Sequence, residues 1–125
     1  MERMSPLEFK RWLENRTRAF AVSVFRAIDE LPDGASSRVI AYQLGKSASS
    51  IGANYREANR AESGDDFRHK LSIALIEASE SVYWLEILVE LYPEEQRFVL
   101  LCDEAGELLR LLQTISRSSR QKKSN

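Results

Sequence analysis

QLGKSASSIGANYREANRAESGDDFRHKLSIALIEASESVYWL, residues 43–85, is two helical patterns separated by one break. In its second half Phe67, Leu71, Ala74, Ala78, Ser81 and Leu85 alternate spacings of four and three, and Leu88 and Tyr92 continue the series without a slip. That period belongs to a helix packed along its whole length against others. In the first half Leu44, Ala48, Ile51, Tyr55 and Ala58 keep the same rhythm, with Ile40 extending it upstream. Between the halves, Ser63 with Asp66 three residues later marks a helix start.

Working outward, Ser5, Pro6 and Glu8 combine a hydroxyl cap, a proline at the first helical position and a carboxylate three residues after the cap. A first helix follows, with Phe9, Leu13, Phe20, Val24, Ala27 and Leu31 on one face and Trp12 and Ile28 widening it. Leu31-Pro-Asp-Gly ends that helix, and Ser36 or Ser37 can open the next. Tyr92-Pro93 breaks the chain again. Pro93, Glu94 and Glu95 suit the first turn of a fourth helix carrying Phe98, Leu101, Ala105, Leu108, Leu112 and Ile115. The expectation is an all-α, up-and-down four-helix bundle over residues 1–116, with helices at about 6–31, 37–61, 64–91 and 93–116. Residues 117–125, RSSRQKKSN, read as a disordered basic tail.

The 125 residues make one ordinary domain, with 43% hydrophobic and 30% charged content. The first residues lack the apolar run of a signal peptide, and no stretch suits a bilayer span, so a cytoplasmic protein with no membrane partner is expected. A lone Cys102 excludes an internal disulfide and a cysteine-based metal site. Net charge is −1 but unevenly spread. Met1–Ala61 holds ten basic residues against seven acidic, Glu62–Leu109 three against twelve, and Arg110–Asn125 five against none. Any attraction for a polyanion must come from such local basic segments.

Two features exceed what one bundle needs. The third helix has a second apolar stripe, Ile73, Ile76, Tyr83 and Ile87, interrupted by Glu80, with Trp84 and Leu91 on the flank. A helix apolar nearly all round is buried nearly all round, so this stripe is expected to meet another copy of the chain; a splayed bundle that wraps the stripe internally is the alternative. In the second helix Gly45, Ser49 and Gly52 form a bare strip, although an internal glycine costs about 1 kcal/mol relative to alanine. Close approach of another helix would offset that cost. These residues, with Glu80, are the candidate oligomer interface.

QLGKSASSIGANYREANRAES, followed by DF and then KLSIALIEASESVYWLE, resembles the four-helix-bundle proteins encoded by intervening sequences within bacterial 23S ribosomal RNA genes, the S23 ribosomal protein-like family. Gln43, Leu44, Ser47, Ala48, Ser50, Ile51, Asn54, Glu57, Ala58, Ser63, Phe67, Leu71, Ala74, Glu77, Glu80 and Leu85 carry the resemblance, which spans about residues 9–115. It implies a homopentameric helical bundle without known enzymatic activity. A similar fold is used by the accessory variability protein of diversity-generating retroelements, a basic pentamer that binds nucleic acid and its reverse transcriptase. Many family members carry paired basic residues just after Gln-Leu, whereas this chain has Gly45 and Lys46.

No catalytic constellation emerges. A carboxylate metal site between the second and third helices would need Glu-x-x-His pairs, and the one histidine, His69, lies eight residues before Glu77. No metal or other cofactor is expected, and no enzyme. His69 reads as a solvated side chain, Cys102 as a small core residue, and Trp12, Tyr83 and Trp84 as packing residues. Buried Ser47, Asn54, Glu77 and Glu80 should be hydrogen-bonded within the bundle or across subunits, setting register. Two functions remain. One is an oligomeric accessory factor that binds RNA or DNA through Lys46, Arg56 and Arg60, through Arg3, Lys10, Arg11 and Arg18, and through Arg117, Arg120, Lys122 and Lys123. The other is a scaffold that recruits a protein partner, its basic residues merely paired with nearby Glu57, Glu62, Asp65 and Asp66.

Overall fold

The computed structural model describes residues 3–124, with side chains as far as Lys122. Four helices follow one another: α1 Pro6–Ile28, α2 Ala35–Asn59, α3 Gly64–Leu91 and α4 Gln96–Ser124. No strand occurs among the described residues. Each helix packs against two neighbours, α1 against α2 and α4, and α3 against the same pair. The bundle is up-and-down. Antiparallel register shows in the pairs that bridge helices: Glu14 with Asn59, Arg16 with Glu104, Glu30 with Arg97 and Ser47 with Ser81.

Local chemistry sets the helix ends. Ser5 closes a full capping box: its hydroxyl accepts from the Glu8 amide at 3.1 Å, and its own amide donates to Glu8 Oε1 at 3.1 Å. Those bonds to the ionised form hold the Glu8 carboxyl below its ordinary pKa. Helix α1 stops at Ile28, three residues before the sequence-based limit, because Pro32 disfavours helical backbone at Leu31. The chain tightens instead into bonds from Glu30 N to Ala27 O and from Leu31 N to Ile28 O, each 3.2 Å. Gly34 serves as the N-cap of α2 without a side-chain bond, so Ser36 and Ser37 fall inside the first turn. Ser63 caps α3, accepting from the Asp66 amide at 3.1 Å. Pro93 and Glu94 form a turn ahead of α4 rather than its first residues.

The largest departure lies at the other end of α4. Residues 117–124 continue the helix to Ser124, where the sequence suggested a disordered tail. That stretch has neither proline nor glycine, and its Arg, Gln and Lys residues are good helix formers, so nothing in it stops the preceding helix. Asn125 lies outside the described residues.

Leu13, Phe20 and Val24 of α1 meet Leu44, Ile51 and Tyr55 of α2, Leu71, Leu85 and Leu88 of α3, and Phe98, Leu108 and Leu112 of α4 in one core. Ala48, Ala74, Ala78 and Ala105 are fully buried within it, so the helices approach closely at these positions. Thr17 occupies the slot between Leu13 and Phe20 that the apolar reading of α1 leaves empty. It is fully buried, and its hydroxyl donates to Leu13 O at 2.9 Å.

Candidate nucleic-acid interface

The up-and-down order brings the start of α1, the end of α2 and the end of α4 to one end of the bundle. Lys10 and Arg11, then Arg56 and Arg60, then Arg117, Arg120 and Lys122 therefore gather there from separate parts of the chain. Asp29, Glu30, Glu90, Glu94 and Glu95 gather at the opposite end. The bundle is polarised, although Glu62, Asp65 and Asp66 in the α2–α3 connection lie at the basic end.

Ion pairing then divides the arginines into two sets. Arg16 grips Glu104 with two bonds, Nε at 2.8 Å and Nη2 at 2.7 Å, and its guanidinium lies 5.3 Å from the centre of the Trp12 ring. Glu104 accordingly raises the Arg16 pKa. Arg68 pairs with Asp65, Arg97 with Glu30, and Arg110 with Glu107. Arg11, Arg18, Arg56 and Arg60 form no ion pair with a described residue. None of the carboxylates near Arg56 and Arg60 in sequence forms an ion pair with either of them.

Two of these unpaired residues share a groove of about 140 Å³ between α1 and α2, lined by Glu14, Thr17, Arg18, Ser49, Gly52, Ala53 and Arg56. Its one carboxylate, Glu14, accepts from Asn59 Nδ2 at 2.9 Å, and Arg18 Nη2 donates to the neutral Asn15 side chain at 2.8 Å. Gly52, one of its lining residues, lets α1 and α2 approach closely: a Cβ there would lie 2.8 Å from Thr17 Oγ1.

This geometry accounts for the bare strip of α2 within one subunit. Gly45 and Gly52 both pack against α1, Gly45 buried and Gly52 half-buried at the groove. A Cβ on Gly45 would lie 3.2 Å from the Phe25 ring and 3.3 Å from Ile28. Ser49 is half-buried beside them, its hydroxyl donating to Gly45 O at 2.8 Å. The second stripe of α3 behaves differently. Ile76 and Tyr83 are each 58% exposed, Glu80 is exposed, and Ile73 and Ile87 are half-buried, so the subunit leaves this face open.

The remaining basic candidates separate from the α1–α2 groove. Arg117 and Arg120 line a groove of about 470 Å³ between α3 and α4, with Ile76, Ser79, Leu109 and Gln113. Lys46 is exposed on α2 and acts electrostatically across the α2–α3 seam on Glu77, opposing the upward shift that burial and Glu80 impose on that carboxyl. Arg3 precedes α1 and is exposed; Lys122 is exposed at the end of α4; the Lys123 side chain lies outside the described residues.

Of the polar residues expected to be buried and bonded, Ser47 and Asn54 form hydrogen bonds within the subunit, as does Ser81, whereas Glu80 is exposed. Ser81 donates to Ser47 Oγ at 3.0 Å and lies 2.9 Å from Glu77 O, while Asn54 donates to Ser50 O at 2.9 Å. Cys102 is half-buried in a groove with Glu86 and Asp103; burial first, then those carboxylates, push its thiol pKa up, away from nucleophilic character. No cluster of three or more His, Cys, Asp or Glu suited to a metal ion exists among the described residues, and no helix there is long and apolar enough to cross a membrane. Sequence reasoning missed Phe25 and Tyr42, which are 45% and 67% exposed on α1 and α2. Both fall off the core stripes, which was the available signal.

Fold and surface together define a four-helix bundle whose unpaired arginines concentrate on one helix pair. The model of the 23S rRNA-intervening sequence protein family matches residues 10–114, and the chain belongs to that family. It is similar, at 34% identity and a TM-score of 0.74, to a crystal structure of a protein of unknown function from the S23 ribosomal protein family of Bacteroides thetaiotaomicron. That match covers 83% of this chain and 97% of the other. No curated protein matches the sequence.

Proposed function

We propose that this protein is a non-enzymatic, oligomeric accessory factor that binds RNA or DNA along its α1–α2 face. The observation that carries the reading is the division of the arginines: Arg16, Arg68, Arg97 and Arg110 have carboxylate partners, whereas Arg11, Arg18, Arg56 and Arg60 have none among the described residues. Unpaired cations aligned on one surface attract phosphates without reading bases, and they do so more weakly as salt rises.

Assembly would use a different surface. Because α3 has α2 and α4 as its neighbours, its stripe of Ile73, Ile76, Tyr83 and Ile87 faces away from α1 and is open for another copy. A ring, a pentamer as in the related bundles, would repeat the basic face around its circumference and convert weak contacts into avidity. Location in the cytoplasm fits such a role.

The test is binding of labelled RNA and DNA across a salt series. The reading expects affinity that falls steeply with salt and is lost when Arg18, Arg56 and Arg60 become glutamine. Absence of binding at low salt would instead favour a protein-recruiting scaffold, for which the acidic groove at Glu86, Glu90 and Asp103 is the candidate surface.

A further inference from the structure

Resting on the nucleic-acid reading above, we infer that the strand bound on the α1–α2 face is single-stranded, with Phe25 and Tyr42 serving as stacking platforms for unpaired bases. Two of the three aromatics among the exposed large side chains of the described residues lie on this face, and neither belongs to the buried core. Tyr42 is 67% exposed, the most open of the large apolar side chains among the described residues, and the exposed Val39 lies three positions before it. Phe25 is 45% exposed although its ring is seated against α2, with Cε1 only 3.2 Å from where a Gly45 Cβ would stand. The missing side chain at Gly45 gives the ring a fixed seat while leaving it accessible.

Charge surrounds these rings in the right places. One helical turn either side of Tyr42 stand Arg38 and Lys46, both exposed and neither ion-paired with a described residue. Arg18 lies two turns before Phe25 on α1 and leads into the groove it shares with Arg56. Along the helix pair the order is therefore aromatic and basic residues together, then arginines alone. Duplexes present phosphates outward and keep base faces stacked, so a duplex would use the arginines and leave the rings idle. A single strand would use both, since every base has a face that can stack and the backbone can follow the cations.

The experiment compares fluorescein-labelled oligothymidylate and oligouridylate of twenty nucleotides with a twenty-base-pair duplex, by anisotropy at low salt. The full chain, Tyr42→Leu, Tyr42→Phe and Phe25→Leu/Tyr42→Leu are measured, each checked for mass by sedimentation. Expected are single-strand affinity at least tenfold above duplex affinity, a roughly 10- to 100-fold loss of it in the double variant, unchanged duplex binding, and retention in Tyr42→Phe. Equal binding of strand and duplex, with no loss in the double variant, overturns the stacking inference and leaves the electrostatic reading standing. No binding of any probe overturns the electrostatic reading and the inference together. A double variant that changes subunit count overturns the inference by showing that the face joins copies of the chain. Tyr42→Leu alone, at a site the core does not use, keeps the test interpretable if the double variant fails to fold.

Discussion

Replacing Gly52 with alanine adds one methyl group to the middle of α2 and sets two effects against each other. Helix propensity favours the change by about 1 kcal/mol. Packing opposes it: the new Cβ would lie 2.8 Å from Thr17 Oγ1, 3.1 Å from Thr17 Cβ and 3.5 Å from the Thr17 backbone carbon. Thr17 cannot step aside, because it is fully buried, β-branched, and bonded through its hydroxyl to Leu13 O. Helix α1 must therefore retreat, and overpacking of this kind costs about 1–3 kcal/mol. A net loss of about 1 kcal/mol is expected, a fall of roughly 3–6 °C in Tm. Gly106→Ala is the matched control. There the nearest atom to a new Cβ is Arg110 Nη1 at 3.5 Å, the far end of an exposed side chain, so stability should rise by up to about 1 kcal/mol. Urea denaturation of both variants measures the difference. If Gly52→Ala is as stable as the parent, the close approach of α1 to α2 is wrong. Combining it with Thr17→Ala should cost less than the two single losses added together.

Ser81→Ala removes the hydroxyl that donates to Ser47 across α2 and α3, while Ser47 keeps its bond to Leu44 O; a loss of about 1 kcal/mol in urea denaturation is expected. Glu8 has its pKa lowered by the Ser5 amide, so its capping contribution is present above the unfolded carboxyl pKa and fades as pH falls through the lower folded value. Urea midpoints from pH 7 to pH 3 should accordingly fall less for Glu8→Gln than for the parent; identical profiles would contradict the capping box. Ile76→Glu, at a 58% exposed position, should leave the bundle folded by circular dichroism and reduce the mass measured by sedimentation, whereas an unchanged mass, or a monomeric parent, would remove α3 from the assembly surface.

What the sequence disclosed follows from what periodicity can carry. Phe67, Leu71, Ala74, Ala78 and Leu85 have one core-facing solution at their spacing, so packed helices are legible in the sequence itself. Periodicity also marked the second stripe of α3, because Ile76 and Tyr83 violate the expectation that an exposed face is polar. It could not say which neighbour fills the bare strip at Gly45 and Gly52. That depends on the relative rotation of two helices, and α1 turned out to supply Phe25 and Thr17 there. Thr17 escaped the core pattern because its hydroxyl is satisfied by its own helix, which makes a polar residue behave as an apolar one. The extension of α4 to Ser124 was missed because composition alone suggested disorder, although no residue there breaks a helix.

Charge was less legible still. A count of basic residues treats Arg16 and Arg18 alike, two positions apart, yet a half turn separates them on α1. One is held by Glu104, and the other opens onto the α1–α2 groove. Only the fold distinguishes a cation spent on the protein's own carboxylates from one left for a ligand.

That distinction can be measured directly through the salt dependence of nucleic-acid affinity in two triple variants. Arg18, Arg56 and Arg60 changed to glutamine remove unpaired charges, whereas Arg68, Arg97 and Arg110 changed to glutamine remove the same charge from ion pairs. If the α1–α2 face carries the phosphates, the first variant should lower the slope of log affinity against log salt by roughly two to three, and the second should leave it unchanged within about half a unit. Equal changes in both variants would mean that net charge alone drives binding, and the assignment of the interface to α1 and α2 would fail.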